Sequence, residues 1–135
     1  MRYDDRLDTI LRQPMADTGA RVAIWQPLVD VLAQGRGKLS PEREDGLYQQ
    51  IERWRDSIPE DRRRASAASL AGRLVPASLI RYFACDKPAI AAPLLSKAML
   101  EPAEWSAIIP SLPPASRALL RERRDLSPEV AHMLA

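Results

Sequence analysis

Arginine is the residue type with which this sequence could most readily do chemistry, since all but three of its 20 basic residues are Arg. A guanidinium group can bind a carboxylate or phosphate through two parallel hydrogen bonds. The arginines gather in one cluster around residues 55–81 and in a second at residues 117–124. Steps of four and three residues in the second cluster place Arg117, Arg121 and Arg124 on one helix face. A solvated surface with no partner is the alternative for both clusters. The residues that we predict to contact a partner are Arg62, Arg63, Arg73, Arg81, Arg117, Arg121 and Arg124.

The sequence carries no recognisable pattern for catalysis or for metal binding. His132 is the only histidine and has no second His or Cys at the spacing of zinc ligands. Asp4, Asp5 and Asp8 could serve as paired carboxylates, but acidic residues in a first turn also simply favour the helix dipole. The glycine-rich phosphate loops and the GxSxG nucleophile motif do not occur. We therefore predict that the segment is not an enzyme and holds no metal or cofactor.

Composition and charge narrow the class of protein further. The net charge is +2, and residues 58–135 carry eleven basic and eight acidic groups, too even a mixture for a dedicated nucleic-acid binder. No apolar run approaches the roughly 20 residues of a membrane span. The first residues, MRYDDRLD, are charged and unlike a signal peptide. These features predict a cytoplasmic protein. The single cysteine, Cys85, lies in an apolar run and is expected to be a buried, inert thiol.

Helices are the elements that must position the arginines, because Ala and Leu dominate the apolar residues and aromatics make up only 5%. Most of the 12 prolines lie just ahead of an apolar run, where a helix can begin without losing a hydrogen bond. Ser40 and Ser127 are suitable N-caps. Pro27 and Pro93 lie inside apolar runs and are expected to kink or divide their helices. Gly35 and Gly37 are expected to end the helix that contains Pro27.

The prolines also show a faint repeat after residue 58. Pro76, Pro102 and Pro128 are 26 residues apart, and a second series interleaves with them at Pro59, Pro88 and Pro114. Interleaved series of this kind predict stacked pairs of short helices, with about eight or nine helices in an all-α chain. An irregular helical bundle is the alternative. We expect one helical domain over residues 1–135, with N-terminal helices at 1–57 and helix pairs at 58–135. Because the last apolar helix is short, we also expect the chain to be a piece of a longer protein.

Residues 79–135 carry a series of short motifs: an LxxxFAxD helix, then IAxPxL, WxxxxPxLxP and LxxRRDLxPxV. The residues that carry them are Leu79, Phe83, Ala84, Asp86, Ile90, Ala91, Pro93, Leu95, Trp105, Pro110, Leu112, Pro114, Leu120, Arg123, Arg124, Asp125, Leu126, Pro128 and Val130. The stretch resembles the HEAT-like N-terminal region, of uncharacterised function, of certain alphaproteobacterial sensor histidine kinases. The resemblance implies a right-handed superhelix of helix pairs. The chain itself has none of the kinase core motifs.

The function implied by this resemblance is a non-catalytic regulatory module of a two-component sensor kinase. It would act in signal transduction through protein–protein contacts, either with a second copy as a homodimer or with a downstream kinase or sensor module. Two alternatives stay open. One is a small-molecule sensor with a pocket near Trp105 and Phe83, and the other is a nucleic-acid-binding helical-repeat protein that uses the arginine clusters.

Overall fold

The computed structural model describes residues 18–35 and 39–135, and across these ranges every regular element is helical. The all-α prediction, with about eight or nine helices, is thereby confirmed. Eight α-helices are described, together with short 3₁₀ turns at Arg55–Ser57 and Ile109–Ser111. The helices are α1 Thr18–Gln34, α2 Pro41–Trp54, α3 Glu60–Leu70, α4 Ala77–Ala84, α5 Pro88–Leu95, α6 Pro102–Ile108, α7 Pro114–Arg121 and α8 Pro128–Leu134. None of the described helices is both long and apolar enough to cross a membrane.

Proline and serine start the helices as the sequence predicts. Helices α2, α5, α6, α7 and α8 each have Pro as their first residue, where the missing N–H would have had no partner in the helix. The side chain of Ser40 accepts a hydrogen bond from the backbone N–H of Arg43, and that of Ser127 accepts one from Val130. Both serines are therefore N-caps, as expected.

The two internal prolines were expected to kink or divide their helices, and neither helix is divided. Helix α1 begins nine residues before Pro27 and runs through it, and α5 likewise continues past Pro93 to Leu95. Each proline costs one backbone hydrogen bond, but packing of the apolar faces keeps the helix continuous. Gly35 follows α1 with a positive φ of 54°, a conformation that glycine adopts without steric cost. Gly37 lies outside the described residues.

The chain divides into two compact units, and the boundary along the sequence falls between Pro59 and Glu60. In the first unit, α1 packs on α2 and on the 3₁₀ turn that follows α2. Its core includes Trp25, Leu28, Leu47 and Trp54, each less than 5% exposed. The second unit likewise buries its one tryptophan, Trp105, which is 2% exposed.

The second unit contains six helices, which follow one another along the chain as three pairs, α3–α4, α5–α6 and α7–α8. The first helices of the pairs pack on one another, giving a layer α3–α5–α7, and the second helices give another layer, α4–α6–α8. The two layers contact each other at α4–α5 and at α7–α8. Hydrogen bonds fix the register of the layers. Arg63 near the start of α3 reaches Asp86 just before α5, and Arg123 just after α7 reaches the carbonyl oxygens that end α5. The helices within the first layer therefore run parallel. The right-handed sense of the stack stays a prediction.

Equivalent positions in the helix pairs fill the core. Phe83, Ile108 and Leu134 each occupy the seventh residue of their helix and are at most 6% exposed. Leu79 and Ile80 are fully buried beside them. A helix of seven or eight residues is too short to be stable alone, so this repeated burial is what holds α4, α6 and α8 in place.

Candidate interaction surface

Arg63, one of the predicted contact residues, is buried and paired inside the fold. It is 4% exposed, and its guanidinium forms a bidentate ion pair with Asp86. The Nε–Oδ2 distance is 2.9 Å and the Nη2–Oδ1 distance is 3.1 Å. Asp86 Oδ1 also accepts a hydrogen bond from the backbone N–H of Lys87, at 2.8 Å. Arg63 thus joins α3 to the start of α5 and does not face solvent.

The other arginines of the first cluster differ in their element and in their exposure. Arg62 and Arg73 are exposed, the first on α3 and the second in the loop between α3 and α4. Arg81 is half-buried on α4. Arg64, which was not among the predicted residues, is exposed on α3 beside Glu60 and Asp61. Tertiary structure therefore buries Arg63, half-buries Arg81 and leaves the other three exposed.

Glu60 and Lys87 form an exposed ion pair between the starts of α3 and α5. The hydrogen bond from Lys87, followed by the Lys87 charge itself, holds the pKa of the Glu60 carboxyl below its ordinary value. This exposed pair connects the same two helices, α3 and α5, that Arg63 and Asp86 connect in the interior.

The arginines of the second cluster agree better with the sequence prediction, because several of them are at least partly exposed. Arg117 is half-buried on α7, and its Nε is buried without a hydrogen-bond acceptor among the residues that the structure describes. Arg121, one turn later, is exposed, and its Nε donates to the carbonyl oxygen of Leu134 at 2.6 Å. Arg124 was predicted to share their helix face, but α7 ends at Arg121, so Arg124 is exposed in the loop that follows. Arg117 and Arg121 lie on the same side of α7, as their spacing predicts.

Arg123 has a structural role that the sequence did not reveal. Its Nη1 donates to the carbonyl oxygens of Leu95 and Ala98, at 3.0 Å and 2.6 Å, and so satisfies the C-terminal end of α5. Its Nε and Nη2 bind Asp125 at 2.9 Å and 2.7 Å. This hydrogen bonding by Arg123 lowers the pKa of Asp125. A basic residue that reaches the end of another helix 28 residues away leaves no local pattern in the sequence.

A half-open cavity of about 280 Å³ lies beside Trp105. Apolar side chains line it together with Arg123 and Asp125 at its rim: Met99, Leu100, Pro102, Trp105, Leu126 and Val130. Phe83, which we expected to share such a pocket, is fully buried and does not line it. The volume lies just below the roughly 300–1,000 Å³ of typical small-molecule sites.

Of the residues considered for catalysis, metal binding or thiol chemistry, the structure describes His132 and Cys85. No group of three or more His, Cys, Asp or Glu side chains capable of holding a metal ion occurs within residues 18–35 and 39–135. His132 is exposed on α8. Cys85, expected to be buried, is half-buried at the end of α4, with its Sγ 3.8 Å from the carbonyl oxygen of Ser111. Asp4, Asp5 and Asp8 lie outside the described residues.

Comparison with known proteins finds no matching family model, no matching curated protein and no matching solved structure. The function proposed for this chain therefore depends on the motif resemblance in residues 79–135 and on the geometry of the second unit.

Proposed function

We propose that this chain is a non-catalytic regulatory module, situated at the N-terminus of a cytoplasmic two-component sensor histidine kinase, that acts through protein–protein contacts. The observation that carries the proposal is the stack of helix pairs with Arg117 and Arg121 on its outer side. A stack of this kind offers a stiff surface, because each pair is held to its neighbours by buried apolar residues and by side-chain ties such as Arg63–Asp86.

Regulation by such a module requires a partner that binds differently to two conformations of the kinase. The exposed arginines suit that requirement, since guanidinium groups at a protein surface select acidic partner surfaces. The partner can be a second copy of the chain or a downstream kinase or sensor segment. A signal that changes this contact would shift the balance between active and inactive kinase.

The first experiment measures the intact mass of the native gene product in its own cell. A mass well above the 15.1 kDa of this chain is expected, because the module should be one part of a kinase. A native product of about 15.1 kDa would contradict the proposal.

The second experiment measures the autophosphorylation rate of the larger protein. One variant replaces Arg117, Arg121 and Arg124 with Gln, and a matched variant replaces Arg62, Arg64 and Arg73, so that each loses three positive charges. Regulatory couplings are typically about fivefold or more. We expect the α7 variant to change the rate by that much, and deletion of the module to do the same. An unchanged rate after deletion would refute a regulatory role.

The cavity beside Trp105 supports a second candidate, a small-molecule sensor. A bound ligand stabilises the folded state according to its concentration and affinity, so a thermal-shift screen with Trp105 fluorescence tests it. The cavity is small and half-open, which favours the protein-contact proposal.

A further inference from the structure

The helices of the layer α3–α5–α7 reveal which side of each helix faces the next one. The third residues of α3, α5 and α7 are Arg62, Ile90 and Ser116. Arg62 is exposed, whereas the other two are buried. The eighth residue is Ala67, Leu95 or Arg121, and it is exposed only in α7. Helix α5, which packs on both α3 and α7, buries both positions. The third residue therefore faces the preceding helix of the layer, and the eighth faces the following one. We call the side of each helix that faces the following helix its onward side.

The fourth residue of each helix also faces onward, and in two of the three helices it is an arginine. In α3 this residue is Arg63, which crosses to Asp86, two residues before the first residue of α5. In α7 the same position is Arg117, whose Nε is buried and has no acceptor among the described residues. A buried donor without an acceptor is unfavourable, because it has lost its hydrogen bonds to water and gained none in the protein. Arg117 is thus placed like Arg63 but lacks a carboxylate.

The onward side of α7 also has an apolar recess. A cavity of about 240 Å³ lies between α7 and α8 and is lined by Leu120, Leu126 and Leu134, with Arg121 at its edge. The recess has room for one or two apolar side chains of a helix packed on α7. The side of α7 that would meet such a helix therefore combines two guanidinium groups with an apolar floor.

We propose that the onward side of α7 is a docking surface for an acidic amphipathic helix of the downstream kinase or sensor module. That helix opens with an Asp two residues before its first helical residue, and this Asp pairs with Arg117 as Asp86 pairs with Arg63. A second acidic residue, about two turns into the helix, meets Arg121. Charge complementarity argues against a second copy of the same face, because two such faces would bring Arg117 and Arg121 against identical arginines. This inference rests on the proposed function, for which it specifies the partner and the surface.

The test uses the full chain and a fluorescent probe peptide that copies residues 84–99, the segment that pairs with Arg63. The probe carries Cys85→Ser to prevent oxidation and Leu94→Glu to supply the acid that faces Arg121. The control peptide also carries Asp86→Asn. Binding is followed by fluorescence anisotropy with the unmodified protein, with R117Q, and with R73Q, which loses the same charge at an exposed position outside this surface.

We expect the probe to bind the unmodified protein, and Asp86→Asn in the peptide or R117Q in the protein to weaken binding by about tenfold each. The two changes together should weaken it no more than either alone, because both remove one interaction. R73Q should bind like the unmodified protein. Independent, multiplying effects of the two changes, an equal loss with R73Q, or no binding of the probe would overturn the proposal.

The two peptides can be compared on the unmodified protein, so the role of the peptide's Asp is tested even if R117Q folds poorly. R117K, which keeps the charge but loses the Nε donor, gives an additional check and should bind with intermediate affinity. Binding that depends on Arg117, together with an unchanged kinase rate after deletion of the module, would establish the docking surface and refute only the signalling role.

Discussion

Replacement of Asp86 by Ala is the most informative perturbation of the second unit. The side chains of Arg63 and Asp86 are only 5% and 3% exposed, so the substitution leaves a guanidinium buried without its carboxylate. Loss of one partner from a buried ion pair typically costs about 3–5 kcal/mol. The substitution also removes the acceptor of the Lys87 N–H at the start of α5. We therefore expect the free energy of unfolding of the second unit to fall by about 3–5 kcal/mol.

The assay is urea unfolding followed by Trp105 fluorescence. Trp25 and Trp54 belong to the first unit, so their replacement by Phe leaves Trp105, at 2% exposure, as the single emitter. With a denaturant dependence of about 2 kcal/mol per molar urea, the midpoint should fall by roughly 2 M. Asp125→Ala is the matched control, because Asp125 also binds an arginine through two hydrogen bonds but is 68% exposed. Since water screens that pair, its midpoint should move far less.

Equal midpoint shifts for Asp86→Ala and Asp125→Ala would refute the reasoning, because burial would then contribute nothing. A double variant, Arg63→Met with Asp86→Leu, makes a second check. Apolar side chains of similar volume can replace a buried ion pair with little loss, so the double variant should be more stable than either single one. If the two losses simply add, the two residues do not act as a pair.

Three further predictions concern packing, capping and pH. Leu120→Ala should lower the free energy of unfolding by about 2–5 kcal/mol, because Leu120 on α7 is fully buried. Leu74→Ala, at 68% exposure, should change it by less than about 0.5 kcal/mol. Urea midpoints that shift alike would contradict this. Ser127→Ala should cost about 1 kcal/mol through loss of the α8 N-cap, and the exposed Ser78→Ala serves as its control in thermal unfolding. Because Lys87 lowers the pKa of Glu60, the pair stabilises the fold above the ordinary Glu pKa, and this contribution is lost as pH falls through the lowered pKa. Lys87→Gln should therefore raise the pKa of Glu60 in an NMR titration of its carboxyl, whereas Lys97→Gln should leave it unchanged.

The positions of the helices were largely predictable from the sequence. Proline has no N–H and a fixed φ, so it favours the first residue of a helix wherever it occurs, and Pro41, Pro88, Pro102 and Pro128 all take that position. The 26-residue spacing of the later prolines likewise predicted helix pairs. Pro27 and Pro93 were the exceptions, since local propensity gives way where tertiary packing holds a helix together.

The candidate interaction surface was predictable only in part. The spacing of Arg117 and Arg121 correctly placed them on one helix face, because helical periodicity is a local property. Arg63 was counted among the contact residues, yet it is buried against Asp86, 23 residues away. Arg123 was not counted, yet it holds the end of α5.

The sequence by itself determined where the helices begin, that they are amphipathic and that they come in pairs. These properties depend on residues within a few positions of each other, through backbone dihedral angles, capping and the 3.6-residue period. Only the tertiary structure decided which arginines form buried interactions inside the stack and which face outward. Arg63 and Arg117 occupy the same position of their helices, but a carboxylate stands opposite Arg63, whereas Arg117 Nε has no acceptor among the described residues. That difference arises from which helix lies alongside, and the sequence around an arginine carries no record of it.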